Sequence, residues 1–383
     1  MTRTAEAWVL YRGETKDAGP TEYVRDTITF PDISAEEVLV RPLYGCWEGN
    51  MGHAVERKPI DIAWSRNEEK VVVGNAGVVE IVEVGDDVTT VKPGDFALLF
   101  CNGTWDAYGY PVKIFGYDAP GTIGVLARET KLHQKQVIKV PATTEEELQQ
   151  WAAFSLRYIT AWSNWRLAYG MLRLQLNAEE LPEPTVWGWG GGVSLAQLHL
   201  AVLQGCKAFQ VSSRQDRMDA AERLGIKAID RREFPDLNWD DKRYKSDPEY
   251  KARYLASEKR FLELVQELTE GQGANIFIDY VGSPVIRATL KSLARQGVLT
   301  TAGWKEGMNL WFVRAIECIE RHQHVHTHYA RYEEGVEAVR FATEHKWLPE
   351  VDARVYGYDE IPQLAADYNA GDFTYFPVFS VQK

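Results

Sequence analysis

A chain of 383 residues, 45% of them apolar and 26% charged, has the length for about two or three domains and the make-up of an ordinary globular protein. Its formal net charge of −12 argues against nucleic acid or an anionic membrane surface as partner, because either would repel it. The early apolar run Trp8–Tyr11 is too short for a signal or spanning segment, and Cys46, Cys101, Cys206 and Cys318 are too widely spaced for a disulfide framework or a zinc knot, so a reducing cytoplasm is the expected location.

Residues 1–155 read as β-rich. Ala7–Tyr11, Glu37–Arg41, Val71–Val73, Val78–Val84 and Asp95–Phe100 are short β-branched or aromatic runs, broken by turn signals such as Asp86-Asp87 and Lys92-Pro93-Gly94-Asp95. No helical period longer than two turns precedes Glu145, so a compact, partly closed β-barrel is the simplest packing. A helical pattern runs from Glu145 to about Ala168, and the Pro-rich stretch Glu180–Pro184 then closes a connector.

Val186-Trp187-Gly188-Trp189-Gly190-Gly191-Gly192-Val193-Ser194 follows. It reads as an apolar strand, a glycine-rich turn and the start of the helix Ser194–Leu203. The next strand is Ala208–Ser213. Such a turn seats a dinucleotide pyrophosphate on helix N-terminal amides, with glycines where the backbone must approach closely. Gly188, Gly190, Gly191, Gly192 and Val193 are the candidate cradle. Further strands are expected at Lys227–Asp230, Asn275–Val281, Val298–Ala302 and His324–Tyr329, with helices at Asp219–Leu224, Tyr254–Thr269 and Val285–Ala294 between them. Six strands alternating with helices describe a doubly wound parallel sheet. Arg231–Arg253, charged and holding Pro235 and Pro248, looks like an insertion. The chain ends with a helix, Glu333–His345, and short strands near Ala353–Tyr356 and Val378–Val381.

These motifs carry a family resemblance. Gly85-x-x-Val88-x-x-Val91-x-x-Gly94-Asp95 and Thr160-Ala161-Trp162 resemble stretches of the medium-chain dehydrogenase/reductase superfamily. Phe115-Gly116-Tyr117-Asp118 with Gly121-Thr122, Val211-Ser212-Ser213, the insertion with Trp239 and Asp247-Pro248-Glu249-Tyr250, and Thr327-His328-Tyr329-Ala330 are similar to crotonyl-CoA carboxylase/reductases and related enoyl-thioester reductases. The likeness covers roughly residues 36–380. It implies an α/β protein, with a GroES-like β-barrel catalytic domain from 1–155 and 330–383 and a Rossmann domain with a six-stranded parallel sheet from 156–329. It also implies a homodimer or homotetramer.

Zinc-dependent relatives place ligands where this chain has Glu48, Val72-Val73-Gly74 and the neighbourhood of Ser155–Tyr158. No ligand set survives there, so no metal is expected. His322, His324, His326 and His328 recur at spacing two, which would put all four on one strand face. A metal site, a polar strand edge near a subunit contact, and a single cleft histidine, His328, are the three readings of that row.

NAD-preferring sites usually carry an acid after the second strand, but here Ser212, Ser213 and Arg214 come before any acid. The two serines would bond a 2′-phosphate and Arg214 or Arg217 would pair with it, so NADPH is the expected cofactor. Thr160, which the resemblance puts beside the nicotinamide, and Val281, Gly282 and Gly303 are its further expected contacts. The expected reaction is reduction of an α,β-unsaturated acyl thioester, small-molecule or carrier-bound, with carboxylation less expected than in the resembling family. Glu48, Asn50, Tyr158 and His328 are the candidates to line the site. The resemblance gives His328 the role of orienting CO2 or water near an enolate. Glu48 departs from an Asn in the family pattern, and Trp189 and Ser194 suggest a bulkier nucleotide turn. A zinc-free quinone or enone reductase, and a non-catalytic NADP-binding sensor or assembly protein, are the alternatives.

Overall fold

The computed structural model describes residues 2–16, 18–303 and 309–383. The chain divides into two compact units, Met1–Ile159 with Tyr329–Lys383, and Thr160–His328.

The first unit is built on a seven-stranded sheet. Its order runs Val137–Lys139, Phe96–Leu99, Gly77–Val84, Glu37–Cys46, Val378–Ser380, Val355–Tyr356, and Thr130–His133 also pairs with Glu37–Cys46. Thr2–Tyr11 pairs antiparallel with Val24–Pro31 and, at its far end, with Lys70–Val71. Inward residues Val38, Val40, Val79, Ile81, Leu99, Leu132 and Phe379 are fully buried between these strands, the usual alternation of a half-buried sheet. The C-terminal return enters this sheet directly, with Val378 opposite Cys46.

Several elements of this unit carry little sequence signal. Val24–Pro31 buries only Ile28 and Phe30, and Arg25 and Asp26 mask its period. Two short helices, Gly49–Glu56 and Ile62–Arg66, lie in a stretch for which no element was expected. The first contains Gly49 and Gly52, poor helix formers, and is held by Met51 and Ala54 in the core.

The second unit is one parallel sheet in the order Lys227–Asp230, Lys207–Ser212, Thr185–Trp189, Ala274–Ile278, Leu293–Thr301, Gln323–His326. That is the doubly wound order with its switch point beside Thr185–Trp189. The helix expected over Val285–Ala294 is shorter, Ile286–Ser292, and the next strand begins at once. The last strand ends at His326 rather than Tyr329. The helix from Glu145 continues past Ala168 to Gln175 because Leu172 still finds a core.

The insertion is folded. Asp247 accepts from the Tyr250 amide and Pro248 takes the first helical position, which starts the helix Pro248–Leu268. Its docking is aromatic and cationic. The Arg287 guanidinium lies 4.5 Å from the Trp239 ring and 5.1 Å from Tyr244, while its Nε donates to buried Glu258 at 3.0 Å. Among the described residues no helix is long and apolar enough to cross a membrane.

Candidate functional site

The glycine turn is shaped by close approach. Gly190 donates to the Val211 carbonyl at 2.9 Å, and a Cβ there would stand 3.2 Å from that oxygen. Gly191 has φ +145°, a conformation that L side chains rarely adopt. It caps the helix Gly192–Leu203, whose first amides have no partner within the helix. A dinucleotide pyrophosphate fits this cradle.

The two oddities of the turn do not widen it. Trp189 is buried on the opposite face, tilted against Phe261 and Phe277 at 4.9 and 5.4 Å between ring centroids. Ser194 is also fully buried, and its Oγ fills the space that a side chain at Gly188 would need, 2.4 Å from the position of a Cβ. The expectation of a bulkier nucleotide turn is therefore corrected.

Ser212 lies beside Gly190 and is buried, whereas Ser213 is exposed. The Arg214 fork is engaged by Asp216, Nε at 3.0 Å and Nη2 at 2.6 Å. Both side chains are more than a third exposed, so the pair holds the fork only weakly against a phosphate. Arg217 stands one turn further along, half-buried.

At the C-terminal ends of the fourth, fifth and sixth strands of the sheet lies a cavity of about 490 Å³. Val281, Gly282, Gly303 and His328, all anticipated, line it together with Tyr280 and Thr301, which were not. Burial pulls His328 down to about 4, so its imidazole is neutral at physiological pH. The Tyr280 hydroxyl is held by two side chains. It donates to Gln197 Oε1 and accepts from Asn164 Nδ2 at 2.7 Å. Thr160 is buried on the Glu145–Gln175 helix.

The wall of the cavity is held by Asp279, a residue that the sequence reading missed. Its fully buried carboxylate accepts from the amides of Val281 and Gly282 at 3.0 and 2.9 Å and from the Thr289 hydroxyl at 2.8 Å. Burial pushes the carboxyl up to about 6 while those donors oppose the shift.

The histidine row does not share one strand face. Only His324 and His326 lie within Gln323–His326; His322 precedes it and His328 follows. His322 Nδ1 and His324 Nε2 both meet Glu317 Oε2 at 2.9 Å. Among the described residues no group of three or more His, Cys, Asp and Glu is arranged to hold a metal ion.

In the first unit, Glu48 is paired. Arg157, on the Glu145–Gln175 helix, donates Nε to Glu48 Oε2 at 2.9 Å and Nη2 to the Trp47 carbonyl at 2.8 Å. Its Nη1 donates to the Tyr375 carbonyl. Burial raises the Glu48 carboxyl and the guanidinium opposes it. Tyr158 is fully buried among Phe154, Trp347 and Phe376. Its hydroxyl has no hydrogen-bond partner among the described residues, and burial raises its pKa. It is a core residue of this unit, which corrects its candidacy as a cleft residue. Asn50 is half-exposed on the helix Gly49–Glu56.

No family model matches the chain. It is 27% identical over 230 residues to a quinone oxidoreductase-like protein 2 homolog of Nematostella vectensis, covering 60% of this chain and 48% of that protein. It is 24% identical over 302 residues to a crotonyl-CoA reductase of Streptomyces avermitilis, covering 76% and 63%. The chain thus spans about half to somewhat under two thirds of the length of these relatives. Among solved structures, the crotonyl-CoA carboxylase/reductase AntE in complex with NADP superposes with a TM-score of 0.78 at 21% identity over 98% of this chain and 94% of that one. The 2-octenoyl-CoA carboxylase reductase CinF, in complex with NADP and 2-octenoyl-CoA, gives 0.79 at 19% over 98% and 87%. An alcohol dehydrogenase of Aeropyrum pernix gives 0.73 at 21% over 98% and 99%. The chain shares the fold of these three structures.

Proposed function

We propose that the chain is a zinc-independent, NADPH-dependent reductase of α,β-unsaturated acyl thioesters. The observation that carries the reading is the cavity at the strand ends, walled by Val281, Gly282 and Gly303 and holding a neutral histidine, His328. Gly190, Gly191, Gly192 and Val193 would receive the pyrophosphate, and Ser212, Ser213 and Arg214 or Arg217 the 2′-phosphate. Thr160, Val281, Gly282 and Gly303 would bracket the nicotinamide. Bound NADPH supplies a hydride. The chain's own contribution is to fix the acceptor, to exclude water, and to meet the charge that grows on the thioester oxygen with positioned donors. His328, neutral, would orient water or CO2 near the enolate, and Asn50 offers an amide donor. Zinc independence rests on the donor set: the one carboxylate at the zinc-ligand positions, Glu48, is engaged by Arg157.

The test is NADPH oxidation with crotonyl-CoA, with and without bicarbonate, followed by the mass of the product. Reduction alone supports the reading, and a product heavier by one CO2 adds carboxylation. Turnover of quinones or enones but of no enoyl thioester overturns it in favour of a second reading, a zinc-free quinone or enone reductase, to which the Nematostella relative points. NADPH binding without any turnover favours a sensor.

We also propose that two copies associate through the sheet edge at Gln323–His326. That strand pairs on one side only among the described residues, and Trp311, Val313, Ile316 and Ile319 before it are exposed, an apolar strip of the kind an interface covers. Light scattering of the purified protein gives the oligomeric state, and a monomer at micromolar concentration overturns it.

A further inference from the structure

We propose that Asp279 is a positioning residue that ties the glycine turn to the cavity wall, so that both ends of the dinucleotide site hold their shape as one unit; this rests on the cofactor reading above. Asp279 follows the strand Ala274–Ile278 directly. One carboxylate oxygen accepts from Val281 and Gly282, and the other from Thr289. Thr289, on the helix Ile286–Ser292, in turn accepts from the Trp189 indole at 2.7 Å. Trp189 is the last residue before Gly190.

The chain of contacts therefore runs from the nucleotide turn, through one hydroxyl and one carboxylate, to the two amides that shape the cavity wall. That wall is closed again behind them. Gly282, at φ +95°, accepts on its carbonyl from the amides of Val285 and Ile286, both at 3.0 Å. A turn cap alone does not require the second half of the relay. Thr289 has a carbonyl of its own within reach, Val285 at 3.2 Å, and a buried carboxylate costs more to desolvate than an amide in the same place. Trp189, which looked like an anomaly of the nucleotide turn, becomes the link that reports its position.

The experiment is titration of NADPH against four variants, with amide hydrogen exchange of each free protein. Asp279→Ala removes the acceptor and is expected to weaken NADPH binding about tenfold or more, equivalent to one well-placed interaction. Asp279→Asn keeps an acceptor for both amides and is expected to restore binding to within about threefold of wild type. Thr289→Val and Trp189→Phe lie away from the cavity wall, and Phe retains the ring packing. Each is expected to weaken NADPH by roughly three- to tenfold, and both carry the test should Asp279→Ala fail to fold. In the free proteins, exchange at Val281 and Gly282 is expected to quicken in Asp279→Ala and Thr289→Val. Binding by Asp279→Ala and Thr289→Val within about twofold of wild type, or an Asn variant no better than the Ala, overturns the proposal, as does unchanged exchange. A wild-type protein that takes up neither NADPH nor NADH overturns the cofactor reading instead, and the exchange data then judge the tie by themselves.

Discussion

Replacing Arg157 by Met probes the first unit at a buried ion pair. The guanidinium and the Glu48 carboxylate are each under a tenth exposed, with side-chain accessibilities of 9% and 7%, and the same guanidinium serves the carbonyls of Trp47 and Tyr375. Met replaces the aliphatic stem but leaves a buried carboxylate and two carbonyls without their donor. Breaking a buried ion pair by removing one partner costs about 3–5 kcal/mol, and a stranded buried carbonyl adds ~1–3 kcal/mol. A loss of about 5 kcal/mol or more at neutral pH follows, or a midpoint lower by roughly 10–20 °C for a unit of this size.

The pH dependence fixes the cause. Burial already raises the Glu48 carboxyl in the wild type, and without Arg157 it rises further. A carboxyl whose folded pKa lies above its unfolded value, about 4.3, costs little stability below that value and progressively more as pH rises through the folded pKa. The deficit of Arg157→Met should therefore be smaller at about pH 5 than at about pH 8. The double variant Glu48→Leu/Arg157→Met should be more stable than Arg157→Met alone, since no charge is then buried. Thermal and denaturant unfolding at the two pH values measure all three proteins. A loss under about 1 kcal/mol, or a deficit that grows on acidification, would refute the view that this pair stays charged and mutually dependent.

Three further outcomes are expected. Ser213→Ala/Arg214→Ala should cut the preference for NADPH over NADH roughly ten- to a hundredfold in a fluorescence titration, whereas Asp216→Ala, which takes a competing carboxylate from the fork, should raise it by up to about fivefold. Gly188→Ala places a Cβ 2.4 Å from Ser194 Oγ and should cost ~1–3 kcal/mol by thermal unfolding; adding Ser194→Gly should recover most of it. Arg287→Ala leaves Glu258 with Lys291 as its remaining cation and removes the guanidinium from Trp239 and Tyr244, so limited proteolysis should cut residues 231–253 faster, with a loss of about 2 kcal/mol.

The parallel sheet was legible because its strands are buried on both faces and read as apolar runs, Asn275–Val281 above all. The barrel was legible only at its centre. Val24–Pro31 and Thr130–His133 lie where one face is polar, and the Gly49–Glu56 helix opens on residues with no helical preference. The direction of Trp189 was available in principle. Residues two apart on a strand share a face, so Trp187 and Trp189 go to the core together and Gly188 and Gly190 go to the other side. Asp279 also had a signal, an acid three residues before a glycine, the spacing of a side chain that caps a turn. Arg157 had none. Its partner lies 109 residues away in sequence, and nothing local announces the pairing.

The Glu48–Arg157 pair bears on the choice between an enzyme and a decayed pocket. A carboxylate where the resembling family has an amide invites the reading that catalysis has been lost, since negative charge beside a forming enolate opposes the reaction. Here that charge comes with its own cation, and the guanidinium also fixes the Trp47 and Tyr375 backbones. The substitution has thus become part of a clamp that shapes the segment carrying Asn50, and it no longer tells against hydride transfer. What it removes is one polar group from the candidates for direct chemistry, as the burial of Tyr158 removes another. On the proposed reading the acid–base burden would fall to solvent and to His328, whose imidazole, held neutral by burial, would orient a water without itself becoming charged.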